Sequence, residues 1–302
     1  MSSSLLTRGR LAFLAAGAIT AVTGALFAAT ASAAAPSAAV EYPNYTHETA
    51  RFSFGQGAYA GGYVDCSAGK LPIASGSVNS DARGILLSGS ITTAGTGSFA
   101  SGQSQGGAAH ELEVRSHCVD ATKLTGSTRA SLAVRDHRSS SWDSYVRRAT
   151  CPSGTVAFGG GANVVSNGVY DVAGLSTFGT KPEARSWTYG GAGDLGDRTL
   201  LVESKCLPRT RLGKIVTVQD TVGGTGATGR QRVIGSARCP EGYFAFAGGA
   251  FFSASGSTTP TSSGYLQANM MSPDDRGWLA IGETYVPYAQ LTAKVRCTDR
   301  LG

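Results

Sequence analysis

Cys151-Pro-Ser-Gly-Thr-Val-Ala-Phe-Gly-Gly-Gly-Ala162 and Cys239-Pro-Glu-Gly-Tyr-Phe-Ala-Phe-Ala-Gly-Gly-Ala250 are identical at 8 of 12 positions. In both, apolar side chains alternate (Val156 with Phe158, Phe244 with Phe246) and then run into glycines, where a missing Cβ permits a bulge or a close backbone approach. A third, weaker copy starts at Cys66 and keeps Gly69, Gly76 and an apolar Ile73 at the place of Phe158 and Phe246. Duplication at a fixed spacing marks a repeat architecture built from strands.

The far ends of the copies agree as well. Leu112, Leu200 and Leu291 each lie six residues before a second cysteine (Cys118, Cys206, Cys297), and His117, Lys205 and Arg296 lie immediately before it. Phe99, Trp187 and Trp278 sit 19 residues before those cysteines, and Leu87, Leu175 and Leu266 sit 12 residues before the aromatics. The last 31 residues of each unit therefore align without a gap, whereas the distance from the opening cysteine to the leucine varies as 21, 24 and 27. Length variation falls in one loop per unit, which suits either a binding loop or a plain surface loop. Before the closing cysteines, Leu112/Val114/Ser116, Leu200/Val202/Ser204 and Leu291/Ala293/Val295 share one strand face. Glu113/Arg115/His117, Leu201/Glu203/Lys205 and Thr292/Lys294/Arg296 share the other, so one face is expected buried and the other largely wet, with His117 a surface histidine. Further strands are expected at Phe52-Ser53-Phe54, Leu132-Ala133-Val134 and Ile215-Val216-Thr217-Val218.

The chain has 302 residues, 42 of them Gly, and 15% charged residues, which excludes a disordered polyelectrolyte and a membrane bundle. Arg8 and Arg10 precede an apolar run from Leu11 to about Ala29, and Ala31-Ser32-Ala33 is a small-residue cleavage pattern, so residues 1–33 read as a signal peptide. Its removal takes two arginines and no acids from a net charge of +6, leaving +4 on about 269 residues. The expected organisation is a flexible segment at 34–47, a degenerate first β repeat at 48–120, a second at 121–208 and a third at 209–302. The protein is then secreted, extracellular or held non-covalently at the cell surface, with no stable membrane insertion after cleavage.

Six cysteines behind an export signal imply disulfides. Their intervals alternate long and short (52, 33, 55, 33, 58), and the sequences around alternate cysteines match. Pairing within each unit follows most simply: Cys66 with Cys118, Cys151 with Cys206 and Cys239 with Cys297. The competing scheme, Cys118 with Cys151 and Cys206 with Cys239, leaves Cys66 and Cys297 to meet across the whole chain.

The pattern of Cys-Pro, Gly, Ala-Phe and a glycine pair followed by a tryptophan and a closing cysteine resembles a cysteine-framed repeat of secreted actinobacterial proteins of unassigned function. More distantly it is similar to the vitelline-membrane outer-layer protein, a likeness that implies a β-prism of three sheets about a pseudo-threefold axis and a lectin-like role. Units recurring every 85 to 91 residues are longer than that family's, so the expected all-β fold is either prism-like or three tandem small β-sandwiches.

Catalytic motifs are poor. Gly102-Gln103-Ser104-Gln105-Gly106 spells a nucleophile elbow but lacks the apolar strand before it and the helix after it. Gly191–Gly196 and Gly224–Gly229 spell dinucleotide fingerprints that open no helix. No metal-ligand spacing joins His47, His110, His117 and His137, so neither metal nor cofactor is expected. Scattered arginines without interleaved aromatics argue against nucleic acid. The expected function is non-enzymatic binding of a glycan or cell-wall polymer through repeated loop sites at Asn79 and Asp81, at Asn167, Tyr170 and Asp171, and at Tyr265. An interaction subunit of a secreted assembly with a protein partner is the alternative, and a secreted hydrolase the third. Phe99, Trp187 and Trp278 read either as a repeated core position or as sugar-stacking platforms.

Overall fold

The computed structural model describes residues 43–80, 84–91, 95–105, 110–135, 143–167, 169–171, 176–193 and 195–302. The segments 1–33 and most of 34–47, as well as Asp81, Trp142 and His137, lie outside them. The described chain is all-β, with short 3-10 turns at Ala121–Leu124 and Arg209–Arg211 after two of the closing strands.

The first segment supplies β1 (Thr46–Phe54), β2 (Tyr59–Asp65), β3 (Lys70–Asn79), β4 (Ile85–Ile91), β5 (Gly97–Gln103) and β6 (His110–Asp120). The second supplies β7 (Thr128–Arg135), β8 (Asp143–Thr150), β9 (Thr155–Ser166), β10 (Val169–Asp171), β11 (Ser176–Pro182), β12 (Ser186–Gly193) and β13 (Thr199–Pro208). The third supplies β14 (Ile215–Gly223), β15 (Gln231–Arg238), β16 (Phe244–Ser253), β17 (Tyr265–Met271), β18 (Gly277–Thr284) and β19 (Gln290–Thr298). β1 reaches into the segment expected to be flexible, because Thr46 and His47 pair with Cys118 and His117.

These strands form three sheets, ordered β1-β6-β3-β17-β18-β15, β2-β5-β4-β9-β13-β7 and β14-β19-β16-β11-β12-β8, with β10 paired to β9. No sheet belongs to one segment. Apart from β10, each takes three strands, with the closing strand in the middle, from one segment and three from another. The two halves meet through very few partners: Ala268 and Asn269 with Val78 and Ser77, Gly89 with Ala162, and Gly179 with Phe251. Glycine permits these approaches, since a Cβ on Gly179 would lie 2.2 Å from the Cβ of Phe251, and one on Gly76 would lie 2.5 Å from the Cβ of Met270.

The disulfides are Cys66–Cys118, Cys151–Cys206 and Cys239–Cys297. Each opening cysteine directly follows an edge strand of one sheet, and each closing cysteine lies in a middle strand of another. The three bridges therefore tie the sheets pairwise. By loop-closure entropy each contributes about 4 kcal/mol, and such bonds indicate an oxidising environment.

Leu112, Leu200 and Leu291 are buried, as are Ile73, Phe158 and Phe246. Phe99, Trp187 and Trp278 converge, with Gly76, Gly160 and Gly248, on one central cavity of about 20 Å³. They are buried core side chains. Trp278 donates its indole N–H to Asn269 (2.6 Å), and Asn269 donates in turn to Thr180 Oγ1 (2.9 Å).

The expectation of a wet second face on the closing strands is corrected. Its last member is buried in every case: His117 is 2% exposed, Lys205 8% and Arg296 4%. The reason is a second layer of contact. Asp275, in the turn between β17 and β18, approaches His117 at 3.2 Å. Lys205 reaches toward Gly95, ahead of β5. Arg296 donates to the carbonyl of Glu183, between β11 and β12, at 2.9 Å.

Candidate functional site

Arg296 leads into the main candidate site, a groove of about 610 Å³ in which the β11–β12 turn, the start of β9 and the strands β14 and β19 meet. Arg185, Arg209, Lys214, Lys294 and Arg296 all line it. Their positions follow from strand pairing: β19 lies beside β14, with Arg296 opposite Thr217. Arg296 is anchored by donating to the carbonyls of Ala157 (2.7 Å) and Glu183 (2.9 Å), with its guanidinium 5.2 Å from the Phe246 ring centroid. Arg209 donates to the Leu212 carbonyl at 2.6 Å, and Arg185 to the Cys151 carbonyl at 3.0 Å.

The charge balance of this groove is one-sided. Its carboxylate, Glu183, is already committed to Arg148 at 3.2 Å, Lys181 at 3.3 Å and the Ser186 hydroxyl at 2.9 Å. Those partners outweigh partial burial and hold its pKa below the ordinary glutamate value. Burial pushes Arg296 down to about 10, with the charge of Arg209 adding to the effect. Burial also lowers Lys294, reinforced by the charge of Lys181. Crowded, partly desolvated cations of one sign raise the local potential and favour an anion that enters between them.

The sequence-selected residues are dispersed. Asn79 is buried and donates its amide to the Gln103 carbonyl at 3.0 Å, beneath the surface where a loop site was expected. Asn167 is exposed, in a left-handed conformation (φ 50°) at the β9–β10 turn. Tyr170 and Asp171 lie in β10, paired with Val165 and Val164. Tyr265 starts β17 and joins a surface cluster. Its hydroxyl donates to Glu283 at 2.7 Å and accepts from Arg230, whose guanidinium lies 5.7 Å from the Tyr265 ring centroid and 5.8 Å from that of Tyr285. Tyr285 and Tyr288 are 53% and 66% exposed, an aromatic surface that the sequence reading did not single out.

Ser104 is fully buried, and its backbone N–H donates to the Ala58 carbonyl at 3.1 Å, so its hydroxyl does not face solvent as a nucleophile would. Gly224–Gly229 lie in the connection between β14 and β15 and open no helix. Comparison with protein-family models and with curated proteins finds no match for this chain.

Proposed function

We propose that this is a secreted, non-enzymatic binding protein for an anionic extracellular polymer, a carboxylated or phosphorylated polysaccharide. The observation that carries this reading is the groove lined by Arg185, Arg209, Lys214, Lys294 and Arg296, whose one carboxylate is already neutralised by residues beside it. A groove of about 610 Å³ is the size of a small-ligand site, and its cations would meet the acidic groups of a short stretch of such a chain. In this reading the three disulfide-framed segments are copies of one unit that close a β-prism about a pseudo-threefold axis. The cyclic exchange of strand triplets between sheets and the convergence of Phe99, Trp187 and Trp278 support that arrangement over tandem sandwiches. A rigid closed body offers polymer-binding surfaces with little ordering cost.

The test is retention of residues 34–302 on immobilised polygalacturonate, on a phosphate-linked wall polymer and on neutral cellulose and chitin. Retention on an acidic polymer, weakened by salt and reduced at least tenfold by Lys214→Glu, is expected. Equal retention of wild type and Lys214→Glu overturns the assignment to the groove. A second reading, stacking of neutral sugars, is favoured by the exposed Tyr285 beside Tyr265 and by the exposed Tyr288, and it predicts salt-insensitive retention on chitin or cellulose instead.

A further inference from the structure

Three side chains distant in sequence meet where β6 reaches Cys118. His47 in β1 and His117 in β6 are directly paired across the strands, with ring centroids 4.8 Å apart. Asp275, from the β17–β18 turn, places its Oδ1 2.9 Å from His47 Nε2 and 3.2 Å from His117 Nδ1, and one ligand atom from each residue lies within 4.8 Å of the others. We propose that His47, His117 and Asp275 form a binding site for a divalent transition-metal ion of the zinc class, which clasps the first strand of the fold to its last hairpin turn.

Ligand chemistry supports the assignment. Two imidazoles and one carboxylate form a borderline donor set suited to Zn²⁺ and its neighbours rather than to Ca²⁺ or Mg²⁺. A tetrahedral ion with bonds of about 2.0–2.2 Å holds its donor atoms roughly 3.4 Å apart. Two of the observed separations are already near that value, and His47, whose side chain is 39% exposed, is free to rotate to complete the set. The same opening leaves a fourth position to solvent, as sites with three protein ligands do.

His117 is 2% exposed and its ring packs beside that of His47, with Nδ1 the nitrogen that faces Asp275 while Nε2 has no hydrogen-bond partner. Burial lowers the pKa of His117 below the ordinary histidine value, against the opposing pull of Asp275. Asp275 itself holds a left-handed backbone conformation (φ 55°), which aims its carboxylate at both rings while its carbonyl accepts from the Ala245 N–H at 3.0 Å. Among nearby charges, Arg115 is paired with Glu113 rather than with Asp275.

The test is isothermal titration of chelator-treated protein, residues 34–302, with ZnCl2, alongside thermal unfolding with and without the metal. One ion per chain with a Kd at or below 10 µM and a rise in Tm of several degrees is expected. His47→Ala and Asp275→Asn should each weaken uptake at least tenfold. Asparagine tolerates the left-handed turn, so the second variant keeps the fold, and far-UV circular dichroism checks this. His110→Ala should bind as wild type does. No uptake at 100 µM ZnCl2 overturns the proposal, and so does uptake that survives both ligand variants. Either result leaves the polymer-binding reading untouched, because it rests on the groove around Arg296.

Discussion

The Cβ that Gly248 lacks would lie 2.0 Å from Cε3 of Trp278, and the one that Gly160 lacks would lie 2.6 Å from Cγ of Trp187. A tryptophan of one sheet thus rests directly on the backbone of the next. The glycines conspicuous in the sequence are the floor of the aromatic core.

Gly248→Ala is therefore expected to destabilise the protein by about 1–3 kcal/mol, because the indole must move within a packed interior or the backbone must shift. Gly223→Ala, where nothing lies within 4 Å of the added methyl, is the control and should change stability by less than about 0.5 kcal/mol. Urea unfolding of the two variants checks the difference. Comparable losses at both sites would mean that the glycines act through backbone freedom rather than through space.

Much of this packing is legible in the sequence, and one part is not. Alternation before Cys118, Cys206 and Cys297 correctly assigns Leu112, Leu200 and Leu291 to the core, because a strand's side-chain period is local and fixed. Cysteine spacing likewise carries the pairing. The exchange of strand triplets between sheets has no local signal: it depends on which edge each triplet meets, a contact between segments far apart in the chain. For the same reason His117 reads as a surface residue on its own strand. Its cover, Asp275, lies 158 residues away. The basic groove is hidden in the same way, since Arg185, Arg209 and Arg296 come from separate strands and turns. Tyr265 was legible as a polar aromatic near a variable loop, but its neighbours Tyr285 and Arg230 become visible only once β15 and β17 both pair with β18.

Replacing Cys239 and Cys297 together with alanine should lower stability by up to about 4 kcal/mol, the entropy of an open loop of this length. The bond joins β19 to the segment after β15, in different sheets, so the loss should reach beyond the third segment. Amide hydrogen exchange is the check: protection should fall in β18 and β1 as well as in β19. Loss confined to residues 209–302 would show that the sheets do not share their stability.

Stability should also fall in mildly acidic solution. Burial lowers the pKa of His117, opposed by Asp275 and reinforced by His47 and Arg115. The unfolded chain therefore takes up a proton near pH 6.5 that the folded chain refuses until lower pH. The unfolded state binds more protons in that window, so the contribution is full above about pH 6.5 and is lost as pH falls below it. Denaturation midpoints measured in chelator between pH 7.5 and 5 should drop, and His117→Gln should flatten the slope. A slope unchanged by that substitution assigns the pH dependence to carboxylates.

Tyr288 is 66% exposed and holds a left-handed conformation (φ 61°), an arrangement that costs a bulky residue roughly 1–2 kcal/mol. Its ring overlies Gly226, where an added Cβ would lie 2.6 Å from the ring edge, so the strain presents an aromatic face to solvent and fixes its angle against the β14–β15 connection. Strain retained at an exposed aromatic has a functional reading, because stability alone favours glycine there. Tyr288→Gly should raise stability by about 0.5–1 kcal/mol, the relief of strain less the lost ring contact. The same variant should bind a neutral glycan more weakly if the tyrosine surface stacks sugars, and should bind an acidic polymer unchanged if the groove around Arg296 is the site. Thermal unfolding together with retention on chitin and on polygalacturonate separates these outcomes. A destabilised Tyr288→Gly would show instead that packing on Gly226 outweighs the backbone strain.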